Sequence, residues 1–181
     1  MRIVLTSGGH RRATERLARV RAEFNAVVAD MPAALESGDT SGWHDNFAFE
    51  DNQRQMQHLA ARVRELERVL DQAEIVRVWE TAPDRVVVGA GVAFRFDDDP
   101  EEHSQRVWIA GFGDGDPRAG RFSYDSPIGR ALLGAEPGDQ RALSVDGRKR
   151  LIDVLEVGPA PVGADDAGLL DTAPLTDRKS A

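Results

Sequence analysis

The residues with the greatest chemical capacity in this chain are two acids, Asp39 and Asp45, six positions apart in the segment LESGDTSGWHDN. Gly, Ser, Thr and Asp dominate that segment, which is turn and capping composition rather than helix interior. A carboxylate there accepts hydrogen bonds from the free N–H groups at a helix start, so the plain role of both acids is to close a turn and open a helix. Between them stand Trp43, whose aromatic face can stack on a base, and His44, an imidazole suited to general-base work. Arg12, Arg16 and Arg19 are spaced four and three, so they share one helix face, read either as a solvated stripe or as a surface for a polyanion. Composition excludes other chemistry. With no Cys there is no disulfide, thiol nucleophile or cysteine-held metal. His10, His44, His58 and His103 are scattered with no HExxH-type spacing, which argues against an imidazole metal site. The acidic run DDDPEE at 97–102 reads as a solvated turn.

Two periodic segments must position these residues. Ala13, Leu17, Val20, Phe24, Val27, Met31 and then Ala34 or Leu35 alternate steps of four and three, a heptad seam. Met56, Leu59, Val63, Leu66, Leu70 and Ala73 repeat the pattern, with Arg, Glu and Gln between. Neither seam can bury its face alone, and a short connection makes neighbouring helices antiparallel, so the two should form a coiled-coil hairpin. At 1.5 Å per residue its arms are roughly 35 to 45 Å long, with the acidic segment at the turn. Pro32 should kink the first arm or end it early.

After about Ile75 the period changes to two: Val92, Phe94 and Phe96, then Val107, Ile109 and Gly111, alternate as half-buried strands do. RALSV and RKRLIDVLEV flank Asp146-Gly147, a dipeptide suited to a tight hairpin turn. Ser126-Pro127 followed by IGRALLG predicts one short helix, capped by Ser126, started by Pro127 and stopped by Gly134. Trp79, Phe94, Phe96, Trp108, Phe112, Phe122 and Tyr124 should be core. The fold class is α+β: a helical hairpin over 1–76, a small β-rich domain over 77–158, and a disordered Pro, Ala, Gly and Asp-rich tail over 159–181.

The chain has 181 residues and a formal charge of −8, which argues against a free-standing binder of duplex nucleic acid or anionic membrane. No stretch is long and apolar enough for a membrane span, and MRIVLTSGGHRR lacks the apolar core of a signal peptide, so a cytoplasmic protein is expected.

The order of parts, an antiparallel hairpin and then a β domain carrying SPIGRALLG before a DG hairpin, resembles the Gre family (GreA/GreB type) of bacterial transcription elongation factors. The most specific stretch, DSPIGRALLGAEPGD from Asp125 to Asp139, is similar to the family's SPIARALIGK-type segment. Gly38-Asp39 at the tip, Asp45-Asn46 opening the second helix, and Gly8-Gly9 just before the first extend the likeness over about residues 5 to 158. The resemblance implies an FKBP-like second domain that docks on core RNA polymerase through Ser126, Pro127, Ile128, Gly129, Leu132 and Gly134, while the hairpin enters the secondary channel. It implies that Asp39 and Asp45 assist the polymerase active centre by sharing a Mg²⁺ with it, no metal being bound by this protein alone. Trp43, His44, Asn46 and Phe47 would then contact the partner, and Arg12, Arg16 and Arg19 would face the nascent RNA 3′ end. The implied protein is a monomer and not an enzyme. It promotes cleavage of backtracked transcripts by modulating the polymerase's own hydrolytic activity, and DNA-binding belongs to the same implied role.

The tip departs from the family pattern. Cleavage-competent members look like G-D-x-x-E-N, whereas this chain reads GDTSGWHDN, with three residues added between the acids and Asp45 in place of the longer Glu. Phe47-Ala48-Phe49 follows where the family typically has A-E-Y. A Gre-like inhibitor that occupies the same channel without stimulating cleavage is therefore the alternative. Readings from other classes are an FKBP-like prolyl isomerase or chaperone and a coiled-coil adaptor.

Overall fold

The computed structural model of the chain describes residues 2–36, 47–79, 81–98, 103–145 and 147–161. Its first element is a strand that the hydrophobic pattern does not announce. This strand, β1 (Ile3–Thr6), pairs in parallel with β2 (Ala73–Val76), Ile3 opposite Ala73 and Thr6 opposite Val76. Parallel neighbours cannot be joined by a tight turn and need a crossover. Here the crossover consists of two helices, α1 (Ser7–Glu36) and α2 (Phe47–Gln72). The chain accordingly divides into a helical unit, Arg12–Gln72, and a β-rich unit formed by Met1–Arg11 with Ala73–Ala181. The helical unit, 12–72, lies inside the span of 1–76 expected for the hairpin. IVLT and AEIV are four-residue runs, too short to display a period, and only long-range pairing makes strands of them.

Within the helical unit the three-four spacing is a packing seam: Val20, Val27 and Leu59 are buried, with Phe24, Met56, Val63 and Leu66 packed against them. Arg21, halfway along α1, has its Nη2 2.6 Å from Oε1 of Glu67 in the last two turns of α2, while Val27 farther along α1 shares its cluster with Leu59 earlier in α2, so the arms run antiparallel. Three expectations are corrected. Gly8 and Gly9 lie within the first turn of α1 because Thr6 caps the helix, its Oγ1 accepting the Gly9 N–H at 3.0 Å. Helix α1 runs on through Pro32 to Glu36 and so does not end early there, since a proline removes one hydrogen bond, at a cost of about 3 kcal/mol, and leaves the others in place. Ala73 opens β2 instead of closing the second seam. Burial orders the seam residues: Leu59 is 7% exposed, whereas Leu66 is only half-buried. Leu59→Ala is thus expected to cost about 2 to 5 kcal/mol and Leu66→Ala less. Thermal melts followed by helical circular dichroism check this, and equal melting of both variants and the wild type would show that the seam does not hold the arms together.

The β-rich unit carries β3 (Gly91–Phe96), β4 (Gln105–Ala110), β5 (Arg121–Ser123), β6 (Gln140–Val145) and β7 (Arg148–Gly158). They form one sheet in the order β5-β4-β3-β7-β6, antiparallel except for the β4–β5 pair. A short helix, α3 (Pro127–Leu132), follows β5. Val92, Phe94 and Phe96 alternate into one core with Val107, Ile109, Leu132, Leu143, Ile152 and Val154. The opposite face is covered as well: Trp108 and Ala110 are buried and pack with Val78 and Ala160. Burial on both faces is why the β4 alternation understates its interior character. The aromatic set is core as expected except for Trp79, which is 44% exposed. The β6–β7 hairpin forms at the DG dipeptide, with Val145 opposite Arg148 and Gly147 at φ +76°, a conformation that favours glycine. Asp146 and residues 162–181, most of the expected tail, lie outside the described residues. Among the described residues no helix is long and apolar enough to cross a membrane.

Ion pairs along the rim of this sheet give it a pH response. The Asp153 carboxyl is held below its ordinary range by the Gln140 amide at 2.9 Å and then by Arg95 at 3.3 Å. Arg150 lowers Asp98 through hydrogen bonds of 2.9 and 2.5 Å. Asp139 is lowered by the Glu136 backbone N–H at 3.0 Å and by Arg141. Carboxyls with a folded-state pKa below the unfolded value add stability that is complete above the unfolded pKa and is lost as pH falls through the folded one. The melting temperature of the β-rich unit should therefore be flat near neutrality and fall below about pH 4, with a shallower fall in Asp153→Asn. A set of melts across that range checks it, and an unchanged slope in Asp153→Asn would remove this carboxylate from the account.

Candidate functional site

Helix α1 ends at Glu36 and α2 begins at Phe47, so residues 37–46 separate the two helices in sequence. At 1.5 Å per residue the α2 arm is about 39 Å long. Asp39, Trp43, His44, Asp45 and Asn46 all fall in this connection and lie outside the described residues. Phe47 is the first residue of α2. In sequence, both acids belong to the stretch between Glu36 and Phe47. Two carboxylates are a hard-oxygen donor set, which suits Mg²⁺ and falls short of a complete cage for it. Among the described residues no group of three or more His, Cys, Asp or Glu could hold a metal.

Arg12, Arg16 and Arg19 all lie on α1, Arg19 exposed and the other two half-buried.

The second candidate surface is built around α3, and here the structure sorts the expected residues into two groups. Ser126 is the N-cap, its Oγ accepting the Gly129 N–H at 3.0 Å, and Pro127 opens the helix. Gly129 is buried against β5: a Cβ there would lie 2.8 Å from the Tyr124 Cα and still closer to the Ser123 carbonyl oxygen. Leu132 is fully buried and Ile128 packs partly into the same core. Gly129 and Leu132, expected as partner contacts, therefore cannot present side-chain surface, because they hold α3 on the sheet. Pro127 and Gly134 are exposed, the latter at φ +77° just after the helix. Beside them Arg130 is exposed and Leu133 is 40% exposed, two residues the sequence reading left out. The missed signal is periodic: with Leu132 and Ile128 turned inward, the helical period turns Arg130 outward, and Leu133 follows where the helix ends. Asp125 supports the segment from below, its Oδ1 accepting the Gly113 N–H at 3.2 Å and a short hydrogen bond from the Ser123 hydroxyl.

Comparison with known proteins covers both units. Residues 3–75 match the family model described as transcription elongation factor, N-terminal, and residues 80–159 match the one described as transcription elongation factor, GreA/GreB, C-terminal. The chain is 30% identical to the transcription elongation factor GreA of Roseiflexus castenholzii over 155 residues, 84% of this chain and 95% of that protein. It is 37% identical to GreA of Chloroflexus aggregans over 113 residues, 62% of this chain and 68% of that one. Among solved structures it is similar to GreA factor homolog 1 (Gfh1) of Thermus thermophilus at 23% identity, with a TM-score of 0.40 over 87% of this chain and 99% of that chain, a likeness too weak to carry an argument. None of these relatives is a prolyl isomerase, and that alternative finds no support.

Proposed function

The chain belongs to the GreA/GreB family of transcription elongation factors, which are not themselves enzymes, and on that premise we propose that it binds bacterial RNA polymerase through its β-rich unit and presents Asp39 and Asp45 to the polymerase active centre. What supports this reading is the sequence position of both acids, between two antiparallel helices of which α2 is about 39 Å long. An arm of that length and slenderness suits a narrow channel, the secondary channel of the enzyme. The exposed part of the α3 segment, Pro127, Arg130, Leu133 and Gly134, supplies the docking contact. Arg12, Arg16 and Arg19 face the nascent RNA 3′ end, where their charge offsets that of the phosphates.

At the active centre the two carboxylates act as a pair. Asp39 and Asp45 would lend oxygen ligands to a Mg²⁺ held chiefly by the polymerase, and that ion would supply polarisation of the water that attacks the RNA phosphodiester. The role requires the two carboxylates to converge, and Gly38 and Gly42 are the residue type whose backbone freedom permits it. The protein thereby modulates hydrolysis that belongs to the polymerase. It acts in the cytoplasm as a monomer.

The test is transcript cleavage by purified bacterial core polymerase halted in backtracked complexes, with and without the protein. Faster release of the RNA 3′ fragment is the expected result. The three residues added between the acids favour one competing outcome, in which the wild type leaves cleavage unchanged and, at saturation, slows nucleotide addition. That result would make the protein an inhibitor of the same channel, with Trp43 and Phe47 carrying the effect.

A further inference from the structure

The first turn of α1 belongs to the β-rich unit and lies beside a buried polar group that the proposed mechanism does not use. Asp114, just after β4, is 5% exposed, and Arg121 of β5 is 7% exposed. The Arg121 guanidinium donates to the Asp114 carbonyl oxygen at 2.9 Å, and its Nε lies 3.7 Å from the Asp114 carboxylate. A second carboxylate, Asp116, stands 3.7 Å from the same guanidinium. The other side of the Asp114 carboxylate faces the start of α1. A Cβ on Gly9 would lie 3.0 Å from Asp114 Oδ2 and 3.2 Å from Thr6 Oγ1, so the helix backbone approaches the carboxylate closely, and a side chain there would require these neighbours to give by a few tenths of an ångström. Thr6, completely buried, caps the same turn from within the chain.

A negative charge at a helix N-terminus meets the positive end of the backbone dipole and the free N–H groups of the first turn. Here that charge is fixed by Arg121, and Arg121 is fixed by its own strand. From this arrangement we infer that Asp114 is a positioning residue: with Thr6 and Gly9 it anchors the first turn of α1, residues 7–11, within the β-rich unit to which that turn belongs, and the factor's effect on the polymerase depends on that anchor. The inference rests on the proposed function for its consequence, but not for the anchoring itself. It also explains why a helix begins with two glycines, residues that weaken helices elsewhere.

The test uses the full chain and two variants, Asp114→Asn, which keeps the shape and removes the charge, and Thr6→Val, which removes the cap without touching Asp114. Hydrogen exchange reads the anchor directly: amides at positions 8–11 should exchange about tenfold faster in both variants, the scale of losing one helix cap, with β3 and β7 unchanged. Titrating each variant into halted polymerase complexes reads the consequence. The factor concentration at half effect should stay within about twofold of wild type, while the maximal cleavage rate falls about tenfold, because docking survives and delivery of the acids does not. Unchanged exchange at 8–11 in both variants overturns the anchor. Faster exchange with an unchanged maximal rate, or a loss that raising the factor concentration restores, overturns the positioning role. If the wild type slows nucleotide addition and does not stimulate cleavage, the proposed function fails, and the same split is then read on maximal inhibition.

Discussion

Asp39→Ala and Asp45→Ala are each expected to lower stimulated transcript cleavage by about a hundredfold or more while leaving affinity for polymerase within about twofold. The magnitude follows from what each carboxylate does: removing one preorganised charge or donor from the place where charge develops in a transition state typically lowers a rate by about 10² to 10³. The buried seam described for the arms is built on Val20, Val27 and Leu59, and the proposed α3 surface on other residues again. The fold and the docking should accordingly be spared. Asp39→Asn and Asp45→Asn sharpen the test, because an amide keeps hydrogen-bonding capacity for a turn or cap but is a far poorer Mg²⁺ ligand. Activity retained by the Asn variants and lost only with Ala would assign the acids to loop and helix-cap structure. Full cleavage by the double Ala variant would eliminate the metal-sharing mechanism.

The second large effect separates neighbours on the α3 segment. Leu132→Ala should destabilise the β-rich unit by about 2 to 5 kcal/mol, because Leu132 is fully buried and its removal leaves a cavity under α3. A fall in melting temperature of about 10 °C or more is the corresponding readout. Leu133→Asp, one residue on and 40% exposed, should shift stability by only about 0.5 kcal/mol and weaken polymerase binding by about tenfold, the loss typical of a contact residue near the centre of an interface. Melts and a binding titration on the same two preparations decide the matter. If Leu133→Asp bound normally, the docking surface would lie elsewhere on the unit.

Sequence order alone was enough to read the helical hairpin and the sheet, because both rest on repeated periods. The seams at Val20, Phe24 and Val27 and at Leu59, Val63 and Leu66 pack as their three-four spacing requires. Alternation did the same for Val92, Phe94 and Phe96, and turn chemistry placed the DG hairpin and the Ser126 cap. The acids of the candidate site were legible for a related reason, since a carboxylate pair in a Gly-rich connection between two long apolar seams stands out locally.

What the sequence by itself determined, then, is the set of elements whose identity is local: two long amphipathic helices, alternating strands, a capped short helix and the stretch that carries Asp39 and Asp45. Only the tertiary structure decided three further matters. It made strands of Ile3–Thr6 and Ala73–Val76, turning the hairpin into the crossover of a parallel pair. It turned Leu132 and Gly129 inward and left Leu133 and Arg130 on the surface. And it brought Asp114 and Arg121 to the first turn of α1. In each case the deciding partner lies far along the chain, and four-residue strands, a six-residue helix and a single buried ion pair are too short to carry a period, so their role exists only once the distant partner is in place.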